Sequence, residues 1–376
     1  MKKILVVTNK LITGGVEISL LELVKVMIKN GYDVTLGVCK LGGDLEKEFP
    51  QNVKIIELPE VNLKIKDLVI GYLKSGKILK VFHILKNVFI CNLVKDYNKQ
   101  CYYKSKLYTT FEGEYDIAIC YHKPTDLPVA YTINNINAKM KILWLHSEVK
   151  NISKNEKEGY YDIYNKYEQI ICASETIKEQ LINIFPMFSS RIKVIYNIIN
   201  KEKILDKANA GEQFVRIKNK KIILTVARLS PEKGYTLLLD AAKLLKEEHV
   251  DFIWYIIGNG PMENEIRIQI KKHGLEKNIK LMGRKENPYG YFKTCDIYVQ
   301  PSFEEGYGIT VAEAKIFCKP IVITNFGTAK EHIINGKNGY IVDFNGKELS
   351  NAILKIINDS KIENLFIGNL ESLAEK

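Results

Sequence analysis

The chain has 376 residues, 46% of them hydrophobic and 26% charged, which is the composition of a soluble globular protein with room for two domains of ordinary size. Its 55 basic residues against 44 acidic ones leave a formal charge of +11, a surplus that suits an anionic neighbour: nucleic acid, an anionic membrane leaflet or a diphosphate substrate. The seven cysteines form no CxxC pair and no His/Cys spacing able to hold zinc, no uncharged apolar run approaches about 18 residues, and Met1-Lys2-Lys3 is followed by only a short apolar strand, so disulfide frameworks, zinc sites, spanning helices and a secretory leader are all excluded as expectations.

Residues 4–7 (ILVV) read as a buried strand, and after NKLITGGVE residues 16–29 place Leu20, Leu23, Val24, Met27 and Ile28 at helical spacing, with Gly31 available to end the helix. A second strand at 33–38 completes a βαβ opening. Gly14 and Gly15 put bare backbone at the start of that helix, where a diphosphate can approach closely, although a glycine pair in a turn does not decide this alone. Residues 64–106 differ from the rest, with ten lysines against two acids, Asp67 and Asp96, interleaved with Val, Ile, Leu, Phe and Tyr. As helices they present an apolar and a basic face: either a surface that lies on an anionic bilayer, or an ordinary basic solvent face over a domain core.

Strands at 115–121 (YDIAICY) and 141–145 (KILWL) end in His122-Lys123-Pro124 and His146-Ser147-Glu148. In an open parallel sheet the side chains just past the strand C-termini line the ligand crevice, so both histidines, and Lys123 beside the first, stand where a site belongs. Residues 169–173 make another strand, Ser174 is suited to cap the following helix with Glu175 favourable to its dipole, and the strand at 192–196 ends in Asn197. Residues 201–220, charged and turn-rich, read as an inter-domain linker.

The second domain opens on the strand 221–227, with Arg228 at its end and Lys233 in the SPEKG turn before a helix at 235–247. One planar fork and one point charge at a strand-to-helix turn can neutralise a diphosphate; at about 1.5–3 kcal/mol per charged hydrogen bond, loss of either weakens diphosphate binding by roughly one to two decades. The strand at 252–257 runs into Gly258-Asn259-Gly260-Pro261, which lacks the third glycine of a dinucleotide fingerprint. Then PSFEEGYGITVAEAK sets two carboxylates, Glu305 and Glu313, with seven residues between them, across a loop and a helix at 311–317. On one continuous helix they would lie roughly 80° apart, so Glu305 belongs in the loop and Glu313 on the helix, facing one cleft from different depths. Amides around residues 308–310 can bind phosphate at the helix start.

That word resembles the E-x7-E motif of the family 4 retaining glycosyltransferases, and the resemblance continues in VARLSPEKGYTLLLDAAKLL (226–245), IIGNGP (256–261) and EHIINGKNGYIV (331–342), with the GG loop, WLHS and VIYN in the first half. It implies an α/β chain of GT-B architecture, two Rossmann-like doubly wound domains facing a central cleft: 1–200 for the acceptor, with a basic amphipathic insertion at about 64–106; 201–220 as linker; 221–360 for the nucleotide-sugar; and 361–376 as a C-terminal helix able to pack back on the first domain. The implied reaction moves a hexose from a nucleotide-sugar, UDP-linked, to a glycan or lipid-linked saccharide in surface polysaccharide biosynthesis, at the cytoplasmic side and with contact to an anionic membrane. By the same resemblance Glu305, His146, Arg228 and Lys233 are catalytic, and Gly14, Gly15, Gly258, Gly260, Arg284, Gly306, Gly308, Ile309, Thr310 and Glu313 join the two cations in holding the donor. His122, Lys123 and Asn197 lie on the acceptor side. Glu304 stands beside Glu305, so the donor-facing acid is one of the two. No DxD word is present, and the implied chemistry uses no metal or other cofactor. Two alternatives remain: an epimerase or hydrolase of nucleotide-sugars on the same architecture, and a basic scaffold for membrane or nucleic acid, the latter without any helix-turn-helix, zinc-finger or RNP word.

Overall fold

The computed structural model describes residues 1–122, 124–149 and 152–374. The chain divides into two compact units, Met1–Ile198 and Ile199–Lys376. In the first, β1 (Lys3–Thr8), α1 (Gly15–Lys29), β2 (Asp33–Val38) and β3 (Lys54–Glu57) are followed by three consecutive helices, α2 (Ile65–Lys74), α3 (Ile78–Leu93) and α4 (Tyr97–Ser105). Then come β4 (Glu114–His122), α5 (Leu127–Asn135), β5 (Asn137–Leu145), α6 (Lys154–Tyr164), β6 (Gln169–Cys172), α7 (Glu175–Ile184) and β7 (Ile192–Val194). The seven strands pair in parallel in the order β3-β2-β1-β4-β5-β6-β7. Near-continuous apolar runs such as KILVVT are what a parallel sheet covered on both faces demands, and β1 is buried from Ile4 to Thr8. Ser174 caps α7 as its sequence predicts, accepting from the Ile177 N–H at 3.1 Å. Of residues 64–106, Leu68, Tyr72, Val81 and Ile84 enter the core over β1 and β4.

The second unit begins with α8 (Lys201–Ala210), so the stretch expected as a linker is half helix, with Ile204 and Ala208 in that unit's core. It continues through β8 (Lys221–Val226), α9 (Tyr235–Glu247), β9 (Phe252–Ile257), α10 (Glu263–Lys272), β10 (Ile279–Leu281), α11 (Tyr289–Thr294), β11 (Ile297–Gln300), α12 (Ile309–Ile316), β12 (Ile321–Thr324), α13 (Ala329–His332), β13 (Tyr340–Val342), α14 (Gly346–Asn358) and α15 (Ser360–Ala374). Its strands pair in parallel in the order β10-β9-β8-β11-β12-β13. The chain winds away from β8 in one direction and from β11 in the other, the kind of switch point outside whose strand C-termini ligands bind in open α/β sheets. In the first unit β1 and β4 make the same switch. α15 packs on α14 and α12 of its own unit and brings Phe366 into the core there. Among the described residues no helix is long and apolar enough to cross a membrane.

Candidate functional site

At the switch point of the second unit, β8 delivers Arg228 and β11 delivers residues 301–305, with Glu305 as the terminal acid. The Lys233 ammonium donates to Glu305 Oε1 at 2.8 Å, and both side chains are largely buried. Ser302 Oγ (2.7 Å) and Gln300 Nε2 (3.1 Å) donate to the same oxygen. Of the two adjacent glutamates, Glu305 is therefore the one drawn inward, whereas Glu304 is exposed. The loop is fixed from the other side as well, since the Phe303 N–H donates to the Glu232 carbonyl at 2.8 Å. Gly234, between the short turn that carries Lys233 and α9, has φ +67°, and a Cβ there would lie 1.8 Å from the Pro301 carbonyl oxygen. Only glycine admits that approach, which seats Lys233 against the Glu305 loop.

Arg228 is more open. Its Nη2 donates to Glu232 Oε1 at 2.6 Å, and Nε reaches Ser230 Oγ at 3.3 Å. Burial opposes ionisation of Glu232, but hydrogen bonds from Ser230 and Arg228 hold it down to about 2. The glycine loop after β9 lies against the same turn: the Leu229 N–H donates to the Asn259 carbonyl at 2.8 Å, and a Cβ on Gly260 would meet the Leu229 oxygen at 2.4 Å. The Gly258 N–H donates to the Gly283 carbonyl at 2.9 Å, which joins the segment carrying exposed Arg284 to this loop.

The other acid sits deeper. α12 starts two residues earlier in the chain than its apolar pattern suggests, at Ile309, because Gly308 takes φ +86° as its N-cap. Its first-turn amides, those of Ile309 and Thr310, point out of the helix start without intrahelical acceptors. Glu313 lies on this helix, 5% exposed, and accepts from the Tyr289 hydroxyl at 2.9 Å. Burial pushes its carboxyl up to about 7, with the Tyr289 hydrogen bond opposing. Gln300 links the two carboxylate environments: its Oε1 accepts from Tyr298 (2.5 Å) and Thr310 (3.3 Å) while its amide reaches Glu305. The loop through Gly306 and Gly308 is held by His332, whose Nε2 donates to the Tyr307 carbonyl; burial draws that imidazole down to about 4.

In the first unit His146 follows β5 and is buried, 4.0 Å from the Tyr121 ring and stacked parallel to Trp144, with neither ring nitrogen hydrogen-bonded. Burial, with His122 nearby, pulls it down to about 3. A neutral imidazole with two unpaired buried nitrogens is a group that a ligand hydroxyl can satisfy. Beside it, Ser19 of α1 donates to Asn197 Oδ1 at 2.8 Å and meets the Tyr121 hydroxyl at 2.8 Å. Gly14 caps α1 in extended conformation and Gly15 is its first residue. His122 is tied to Asp126 at 3.1 Å, the residue that also caps α5. Lys123 lies outside the described residues.

The sequence reading missed Ser19, Tyr121, Glu232, Gln300, Tyr289 and His332. Gln300, a polar residue closing the buried run IYVQ at a strand C-terminus, carried a usable signal. Tyr289 and His332 had none, because their partners are 24 and 25 residues distant in the chain.

Residues 206–371 match the family described as glycosyl transferases group 1. An uncharacterized glycosyltransferase of Methanocaldococcus jannaschii is 31% identical over 245 residues, 62% of this chain and 63% of that one. The UDP-Gal:α-D-GlcNAc-diphosphoundecaprenol α-1,3-galactosyltransferase of Escherichia coli is 26% identical over 209 residues, 54% of each. The chain thus spans less than two thirds of the length of these curated relatives. Anabaena HepE, crystallised with UDP and glucose, superimposes at a TM-score of 0.70 with 19% identity, covering 100% of this chain and 95% of that one. The fold is accordingly GT-B, two Rossmann-like α/β domains each built on a parallel sheet.

Proposed function

We propose that the chain is a glycosyltransferase that moves a hexose from a UDP-sugar to a saccharide acceptor carried on a lipid or a polymer, with retention at the anomeric carbon and at the cytoplasmic face of a membrane. The observation that carries this reading is the buried Lys233–Glu305 pair at the switch point, with Arg228, the start of α12 and Glu313 around it. The sequence relatives named above support the class of reaction, and the HepE complex supports UDP as the nucleotide.

In the proposed reaction the bond from the anomeric carbon to the diphosphate oxygen breaks, and the acceptor oxygen bonds to that carbon from the same face. The acceptor proton passes to the departing diphosphate. Arg228, Lys233 and the amides at the start of α12 meet the charge that builds on the leaving group, a preorganised electrostatic role that supplies the positive charge without a metal ion. Both cations already hold carboxylates, so the diphosphate replaces those contacts in part. Glu313 accepts the two ribose hydroxyls once ionised, Glu305 aligns the sugar, and His146 satisfies a ring nitrogen on a sugar hydroxyl. Gly258, Gly260 and Arg284 border the base, and Asn197 and His122 serve the acceptor.

Calorimetric titration with UDP, GDP and ADP in EDTA tests this. The expected result is micromolar binding of UDP in preference to the other two, lost in Glu313→Ala. Absence of nucleotide binding, or a variant indistinguishable from the wild type, refutes it.

A further inference from the structure

α3 is apolar on two faces, and only one of them is used. Val81 and Ile84 are buried among the residues that cover the first unit's sheet. On the outer side Leu79, Phe82, Leu85, Phe89 and Leu93 fall on one stripe by helical spacing and are 85%, 66%, 51%, 65% and 65% exposed. An amphipathic helix of a soluble domain buries its apolar stripe and presents polar residues outward; α3 presents large apolar ones instead. Together with Ile78 and, on α2, Leu73, they uncover roughly several hundred Å² of apolar surface, comparable with the ~300–600 Å² of the largest patches on soluble chains, which are commonly functional.

Along the chain, the charge through the end of α2 and the whole of α3 is of one sign. Between Asp67 and Asp96 the chain holds five lysines and no acid. Lys74, Lys77, Lys80, Lys86 and Lys95 are all exposed, and Lys86 stands within the apolar stripe itself. Long lysine stems lie along apolar surface while their ammonium groups reach outward, the arrangement that suits an interface with apolar depth and anionic headgroups. A second copy of this chain would set lysines against lysines.

We propose that the outer face of α3, with the adjoining end of α2, is a docking surface for an anionic lipid bilayer, its aromatic and leucine side chains entering the acyl boundary and its lysines pairing with phosphate headgroups. The surface stands independently of the donor site, since none of its residues belongs to that site.

Co-sedimentation with phosphatidylcholine vesicles, with and without phosphatidylglycerol, reads this directly. The wild type is expected to bind the anionic vesicles at least tenfold more tightly than the neutral ones, and to release them as salt rises from ~0.1 to ~0.5 M. Phe82→Glu/Phe89→Glu should lose binding by more than tenfold, since two aromatic side chains no longer enter the bilayer. Lys74→Gln/Lys86→Gln, which alters only exposed side chains, should weaken binding by about fivefold per lysine with circular dichroism and UDP affinity unchanged. Equal binding of wild type and both variants overturns the proposal. So does failure of the wild type to bind, including the case where sedimentation velocity shows a dimer that Phe82→Glu/Phe89→Glu dissolves, which would make the occupant a second copy. Loss of UDP binding by the wild type would sink the transferase reading and leave the lipid result standing.

Discussion

Glu313→Gln separates what the site costs the fold from what it does for the ligand. An ordinary glutamate loses its proton near 4.5, whereas burial holds Glu313 to about 7. Below pH 4.5 the group is neutral in both the folded and the unfolded chain, and its titration contributes nothing. Between 4.5 and 7 the fold retains a proton that the unfolded chain has released, so stability falls as pH rises, and above 7 the full difference, about 3 kcal/mol, is lost. Glutamine keeps the shape and still accepts from the Tyr289 hydroxyl, but carries no proton to lose. The variant should match the wild type at pH 4 and exceed it progressively, by about 3 kcal/mol at pH 8. The chain's two tryptophans allow the second unit to be read alone: Trp254 lies in its core, and Trp144→Phe silences the first unit. Urea unfolding followed by Trp254 fluorescence at pH 4 to 9 gives the curve. A difference that stays flat across this range would mean the carboxylate is solvated and would refute the reasoning. The same variant should bind UDP at least tenfold more weakly at pH 8, because an ionised carboxylate accepts both ribose hydroxyls and an amide oxygen accepts poorly while its NH₂ opposes them.

The two cations should separate in the opposite way. Arg228 is two-thirds exposed and pairs with a partly exposed Glu232, so Arg228→Ala should change stability by less than ~1 kcal/mol while weakening UDP binding by roughly one to two decades, read by melting and calorimetry on one sample. Lys233→Ala strands the largely buried Glu305 carboxylate and should destabilise the second unit by about 3 kcal/mol, with much of that restored by adding Glu305→Gln; no restoration would show that the pair is not what holds the loop. Gly234→Ala should lower the melting temperature of the second unit and the affinity for UDP together, since the left-handed backbone costs about 1 kcal/mol and the methyl must also displace the Pro301 carbonyl; an unchanged melting curve would refute the close approach.

The strands were legible because a parallel strand buried on both faces is a local pattern, and ILVV, IAICY, KILWL and KIILTV each carry it whole. Strand ends were legible for the same reason: Arg228, His146 and residues 301–305 all follow directly from where an apolar run stops. What lies opposite those residues is a different kind of information. Glu304 and Glu305 are equivalent in the sequence, and the choice between them is made by Lys233, 72 residues earlier, which reaches Glu305 only because the sheet order puts β8 beside β11. Ser19 and Asn197, 178 residues apart, likewise meet only in the folded unit. The stretch expected as a linker shows the limit from the other side. KEKILDKANA is charged on most of its surface, and Ile204 and Ala208, the two positions that make it a packed helix, become recognisable only once α11 supplies the face they bury against, with Asn287 donating to the Lys207 carbonyl at 2.7 Å. Burial of a sparse apolar pair is a property of the neighbour as much as of the segment, so a single-chain pattern underestimates such helices while it finds continuous strands without difficulty.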